Sequence, residues 1–178
     1  KDTIVGRLVA RHGFSIISFA EPIRRMLQEG FAIPEHYLTA AKEEPIPILG
    51  VSYRRLAQTL GTEWGREHVH PDLWVRLAER LIDARALERV VITDVRFPNE
   101  AAWVRDNGWL WHVRRGVAPN VNPHASERGI APLAGETWLN NADTIPALHE
   151  AVDILIDNLL DVLDLPPAPS RAWPCLRA

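Results

Sequence analysis

The sequence predicts an α/β protein in which a parallel core sheet is covered on both faces by helices, in three layers. The run Val90-Val91-Ile92-Thr93 is β-branched, uninterrupted and followed at once by Asp94, the form of a buried parallel strand that delivers a polar residue at its C-terminal end. Short runs of this kind alternate with segments whose apolar residues recur at helical spacing, the pattern of a parallel, doubly covered sheet. With 178 residues, 47% apolar and 24% charged, the chain is large enough for one domain with a substantial core.

Ile4, Val5, Leu8 and Val9 trace one face of a first helix, and Gly13 stops it before a strand within Phe14 to Phe19. Glu21-Pro22 opens a second helix from Ile23 to about Glu29, because Pro is tolerated in a first turn, and Gly30 ends it. Phe31 to Val51 reads mostly as loop, broken by Pro34, Pro45, Pro47 and Gly50. Ser52 suits the N-cap of a helix carrying Tyr53, Leu56, Ala57, Leu60 and Trp64, and Pro71-Asp72 starts another with Leu73, Trp74, Leu77, Leu81 and Ile82 on one side. After the Val90 strand come a helix from about Asn99 to Asp106, a stop at Gly108, a strand from Trp109 to Val113, and a loop rich in Pro, Asn and Gly to about Gly135. Thr137 to Asn140 forms a last short strand, and Leu148, Val152, Leu155, Ile156, Leu159 and Val162 mark a long helix from Ile145 to Leu163. Prolines 166, 167 and 169 end it, so the domain runs over 1–164 and a Pro-rich tail over 165–178.

Composition narrows the function. A formal charge of −3 gives no bulk attraction to nucleic acid polymers or anionic membranes, so any anion site must be made locally by arginines. The single Cys175 has no partner within the chain, which excludes an intrachain disulfide framework and suits a reducing, cytoplasmic setting. No apolar run approaches the roughly 18 residues of a membrane helix.

Three places could carry chemistry. Lys1-Asp2-Thr3, directly before a helix, has the residue types that close a phosphate-binding loop, a Lys for the outer phosphates and a hydroxyl for Mg²⁺; alone, they are also ordinary surface residues. The first strand and the glycines of such a loop are expected before Lys1. Asp94 to Glu100 sets Asp94, Arg96 and Glu100 on one strand-to-helix connection, an acceptor site if they act together and a set of turn and cap residues if they do not. Arg54, Arg55 and Gln58 open a helix after a loop, where guanidinium forks could hold a phosphate dianion bidentately or form a solvated basic face. Trp74 could stack on a nucleobase or fill the core.

In the order and spacing of these blocks the chain resembles the phage deoxynucleoside monophosphate kinase family, within the P-loop nucleotide kinases. The resemblance runs through about Leu163. It rests on Lys1-Asp2-Thr3, Ser18 to Arg24, Tyr53-Arg54-Arg55-Leu56-Ala57-Gln58-Thr59-Leu60-Gly61-Thr62-Glu63 and Asp72 to Val75, then on Asp94-Val95-Arg96, His112 to Arg114, His124 to Glu127 and Asn141 to Thr144. It implies a P-loop fold and transfer of the γ-phosphoryl group of ATP, with Mg²⁺, to a deoxynucleoside monophosphate. It further implies that Lys1, Asp2 and Thr3 serve ATP, with Thr3 and Asp94 at the metal, and that Arg54, Arg55, Gln58, Trp74, Asp94, Arg96 and Glu100 surround the acceptor. Lys1, Asp94, Arg96 and Arg114 are then the catalytic set, Arg114 opening a lid fastened by His124, Ser126 and Glu127. Asn141, Asp143 and Thr144 would face adenine. The family usually has Pro-Gly after the first lid arginine and often Gly at position 143, whereas this chain has Arg115-Gly116 and Asp143. Membership implies a cytoplasmic enzyme, the host's cytoplasm for a phage gene, with no membrane or nucleic acid polymer as partner, and leaves monomer and homodimer open. A kinase of another phosphorylated small molecule, such as phosphomevalonate, and a non-catalytic nucleotide-binding protein are the rival readings.

Overall fold

The computed structural model describes residues 1–114, 129–141 and 144–162. In chain order the elements are α1 (Asp2–His12), β1 (Ser15–Ile17), α2 (Glu21–Gly30), α3 (Glu35–Leu38), β2 (Pro45–Ile46), β3 (Val51–Ser52) and α4 (Tyr53–Gln58). A π-helix (Thr59–Val69) follows, then α5 (Leu73–Ala84), β4 (Val90–Ile92), α6 (Pro98–Asn107), β5 (Trp111–Arg114), β6 (Thr137–Asn140) and α7 (Ile145–Val162). The chain divides into two units, one of Lys1–Ile17 with Ile82–Ala178 and one of Ser18–Leu81. The expected tail, 165–178, lies outside the described residues.

In the first unit, Gly13 closes α1 in the left-handed conformation at φ 69°, which a residue without Cβ adopts freely, and turns the chain into β1. Ser15 to Ile17 then pair in parallel with Val90 to Ile92. A second parallel pair joins Trp111 to Arg114 with Thr137 to Asn140. Ile4 and Leu8 of α1, Leu139 of β6, and Leu148, Val152, Ile156 and Leu160 of α7 form one core, against which Val91 and Trp111 pack. The helical spacing of these residues in the sequence thus marks the faces that are buried. The β4 run is half-buried instead of enclosed, and among the described residues its ladder has a single neighbour, β1. The described strands form a mixed α/β arrangement of two parallel pairs and one antiparallel hairpin.

Polar staples between distant segments reinforce this core. Asp153 on α7 accepts from Arg7 Nε at 2.9 Å, lies 3.1 Å from Arg11 Nε, and sits 2.9 Å from His12 Nε2, all on α1. The Arg7 hydrogen bond holds the Asp153 carboxyl well below the usual carboxylate range, with His12 and Arg11 acting in the same direction against the effect of burial. Arg89, 7% exposed, donates to the His12 carbonyl at 2.9 Å.

In the second unit Pro22 occupies the first turn of α2, whose Ile23 and Leu27 are buried. The stretch expected as loop contains α3 and the β2–β3 hairpin, in which Pro45 pairs with Ser52 and Ile46 with Val51. Its prolines mark element edges: Pro34 is the extended N-cap of α3 and Pro45 begins a two-residue strand. Ile33, Leu38 and Ile46 are buried, at 2–3% exposure, which supplies the burial that orders this segment.

Ser52 caps α4 as its residue type predicts, its Oγ accepting from the Arg55 N–H at 3.3 Å. Beyond Gln58 the helix widens to i→i+5 bonding, which the apolar spacing does not foreshadow. In an α-helix the Gly61 carbonyl would accept the Gly65 N–H. Here it accepts Arg66 Nη1 at 2.6 Å and the Trp74 indole N–H at 2.7 Å. Gly65 lies against the Trp74 ring so closely that a Cβ there would stand 2.4 Å from Trp74 Cζ2. A long-range indole contact, invisible to local periodicity, therefore accompanies the change of winding.

Candidate active site

Lys1-Asp2-Thr3 forms the start of α1. Lys1 holds the N-cap position, its carbonyl accepting from Val5 N–H at 3.1 Å; Lys1 and Asp2 are exposed and Thr3 is half-buried. The first-turn N–H groups of this eleven-residue helix have no partners within it, and its dipole favours negative charge at this end.

The connection from β4 to α6 carries Asp94, half-buried, and Arg96, exposed. Glu100 is 1% exposed, and its Oε2 accepts the backbone N–H groups of Arg96 at 2.7 Å and Phe97 at 3.0 Å. With Pro98 in the first turn, this is the reciprocal half of a capping box: the carboxylate three residues into the helix fixes the turn that presents Arg96. Glu100, grouped by sequence with residues around the acceptor, makes these two bonds with the turn itself. Phe97-Pro98-Asn99-Glu100 is the signal that identifies the cap, since Pro at the first helical position and Glu at the third are both N-terminal residues.

In the second unit, α4 presents Arg54 half-buried and Arg55 exposed, with Gln58 one turn after Arg54 on the same face. Arg54 forms an ion pair with Glu43, and its N–H donates to the Lys42 carbonyl at 3.0 Å. Burial pushes the neighbouring Tyr53 hydroxyl above its ordinary pKa despite the opposing pull of Arg24. Trp74 is 1% exposed and bonded to Gly61, so of its two readings the structure favours packing.

At the ends of β5 and β6, the Asn141 N–H donates to the Arg114 carbonyl at 2.8 Å, extending the ladder. The Arg114 guanidinium lies 5.5 Å from the Trp138 ring, on which His112 stacks at 4.8 Å. Thr144 Oγ1 accepts from Ala147 N–H at 3.4 Å and caps α7. Asp143 and the lid candidates Arg115, His124, Ser126 and Glu127 lie outside the described residues.

Sequence reasoning missed Glu136. It accepts from Arg105 Nε at 2.6 Å and Leu133 N–H at 2.7 Å and sits 2.8 Å from His112 Nε2. The Arg105 bond, then the Leu133 N–H, hold its carboxyl at about 2, with His112 adding to them against desolvation. These partners are distant in sequence, and no local pattern pairs them.

The first unit thus holds Lys1, Asp2, Thr3, Asp94, Arg96, Glu100, Arg114, Asn141 and Thr144, and the second holds Arg54, Arg55, Gln58 and Trp74. A family model described as deoxynucleotide monophosphate kinase matches residues 42–152, more than half of the chain, including the Arg54 helix and the Asp94–Arg96 turn. The chain belongs to the deoxynucleotide monophosphate kinase family. Among curated relatives, the deoxynucleoside-5'-monophosphate kinase of Escherichia phage T5 is 35% identical over 127 residues, 66% of this chain and 49% of the relative. An Acanthamoeba polyphaga mimivirus protein, whose name assigns it provisionally to deoxynucleotide monophosphate kinase activity, is 26% identical over 178 residues, covering 89% of this chain and 91% of its own length. The chain therefore spans about half the length of the phage relative. Lys1-Asp2-Thr3 precedes the segment matched by the family model, whereas every candidate acceptor residue falls within it.

Proposed function

We propose that this chain is the phosphoryl-transfer part of an ATP-dependent deoxynucleoside monophosphate kinase, which converts a deoxynucleoside monophosphate and ATP to the diphosphate and ADP. The observation that carries the reading is the family match across both the Arg54–Gln58 face and the Asp94–Arg96 turn. The fold that goes with it is a three-layer P-loop kinase domain over 1–164, a reading supported by the parallel pairing of β1 with β4 and β5 with β6.

In this reading the guanidinium groups of Arg54, Arg55 and Arg96 bind the acceptor phosphate, because their planar forks match its oxygens and their charge persists at any working pH. Gln58 contacts the nucleoside, and buried Trp74 supports it by anchoring Gly61. Lys1 and the first-turn N–H groups of α1 hold the ATP phosphates, Arg114 balances charge that develops during transfer, and Asn141, Asp143 and Thr144 contact adenine. The oxygen donors of Thr3 and Asp94 are of the type that Mg²⁺ takes. A hydroxyl from Thr3 with a water-linked Asp94 carboxylate fits a cation that keeps its waters and takes phosphate oxygens. When bound, Mg²⁺ supplies neutralisation of the phosphate charge. The residues themselves contribute positioning and fixed charge, and the acceptor phosphate oxygen needs no general base.

Among the described residues no helix is long and apolar enough to cross a membrane. The test is ADP release by the full-length protein with ATP, Mg²⁺ and each of the four deoxynucleoside monophosphates, alongside phosphomevalonate. Turnover with at least one deoxynucleotide is expected. Turnover with phosphomevalonate alone would overturn the substrate assignment, and binding without any turnover would favour a non-catalytic nucleotide-binding protein.

A further inference from the structure

A carboxylate that the proposed mechanism does not use lies on the same continuous helix as Arg54 and Gln58. Glu63 Oε2 is shielded from solvent and has no hydrogen-bond partner. An ionised carboxylate is an acceptor only, and a shielded acceptor oxygen without a donor is costly to maintain. A binding site can retain one when a ligand provides the donor.

The helix winding aims this residue. Gln58 follows Arg54 by four residues in α4 and lies above it. In α-helical continuation, Glu63 would fall well off that line, five residues being about 140° past a full turn at 3.6 residues per turn. The turn after Gln58 is closed by i→i+5 bonds, so the residue five positions on returns towards the same face. Arg54, Gln58 and Glu63 therefore step along one side, about a turn apart. The winding is built in: Arg66 and Trp74 both donate to the Gly61 carbonyl, and Gly65 admits the Trp74 ring.

We infer that Glu63 is a specificity-determining residue whose carboxylate accepts a hydrogen bond from the deoxynucleoside portion of the acceptor. This rests on the kinase reading above. With arginine at the phosphate end, the donors left for an acceptor-only side chain are the 3′-hydroxyl and the base N–H groups. These share one chemistry and can be told apart experimentally.

Equilibrium titration of the full-length protein, monitored by calorimetry, tests the assignment with Glu63→Gln and Glu63→Ala. Replacing a charged acceptor by a neutral one should weaken deoxynucleoside monophosphate binding roughly five- to tenfold, and removing it more, with ATP affinity unchanged. Melting temperature should hold or rise, because the free fold does not use Oε2. If the 3′-hydroxyl is the donor, a 2′,3′-dideoxynucleoside monophosphate should bind wild type and Glu63→Gln equally. If a base N–H is the donor, Glu63→Gln should compress the differences among the four bases. Unchanged acceptor affinity in both variants overturns the inference, and so does a lowered melting temperature in both, which would mean that the fold itself needs the carboxylate. Failure of the wild-type protein to bind any deoxynucleoside monophosphate would instead bring down the kinase reading, and this assignment with it.

Discussion

Replacing Glu100 by Ala removes the acceptor that fixes the turn before α6. Two backbone N–H groups bond to its Oε2, that of Arg96 at 2.7 Å and that of Phe97 at 3.0 Å, and the side chain is 1% exposed. A hydrogen bond to a charged group contributes about 1.5–3 kcal/mol, and the two share one oxygen, so they do not add fully. Arg96 is exposed, so its N–H can be rehydrated, while Phe97 is half-buried. The expected loss for Glu100→Ala is therefore about 2–4 kcal/mol, against about 1 kcal/mol for Glu100→Gln, which keeps one acceptor oxygen. Urea unfolding followed by far-UV circular dichroism measures both. Because the turn presents Arg96, the Ala variant should also raise the KM for the acceptor more than that for ATP. A stability change below about 0.5 kcal/mol in Glu100→Ala, the size of an ordinary surface substitution, would refute the capping argument.

Three further changes probe other parts of the account. Gly65→Ala places a Cβ 2.4 and 2.8 Å from Trp74 ring atoms and should cost about 1–3 kcal/mol or more in unfolding experiments, whereas Gly6→Ala, with open space at that position, should be benign. Asp153 and Glu136 are both held below the ordinary carboxylate pKa, so the stability they contribute is complete above that range and is lost as pH falls from about 4 towards their folded values. Thermal melts from pH 7 to pH 2.5 should show Asp153→Asn losing stability mainly at neutral pH, with a shallower acid decline than wild type; parallel curves would contradict this. Glu43→Gln removes the carboxylate paired with Arg54 and should lower the acceptor KM by no more than about fivefold, the scale of an exposed ion pair. A raised KM would mean that Glu43 orients Arg54 for the acceptor instead of competing with it.

Much of this was legible in local sequence. Helix α1 ends at Gly13, Ser52 caps α4, and β4 opens into Asp94 as their residue types predict, since each outcome is decided within a few residues. The Arg54 and Asp94 blocks are local in the same sense, and both fall in the segment that the family model matches. What sequence did not disclose depends on distant partners. The π-helix accompanies a bond from Trp74 to Gly61, Asp153 gathers Arg7, Arg11 and His12 from α1 across more than a hundred residues, and Glu136 pairs with Arg105 and His112 from other elements. Glu100 is a different case. Its capping signature is present in Phe97-Pro98-Asn99-Glu100, within the same dense run of charge as Asp94 and Arg96, and burial separates the cap from the exposed arginine beside it.

The most direct test of the acceptor assignment is steady-state kinetics of Arg96→Ala in the full-length protein, varying ATP and deoxynucleoside monophosphate separately. Loss of a guanidinium bonded to the acceptor phosphate should raise the KM for the monophosphate roughly tenfold or more while leaving that for ATP within about twofold. Equal loss for both substrates, or no loss for either, would contradict the assignment of the Asp94–Arg96 turn to the acceptor.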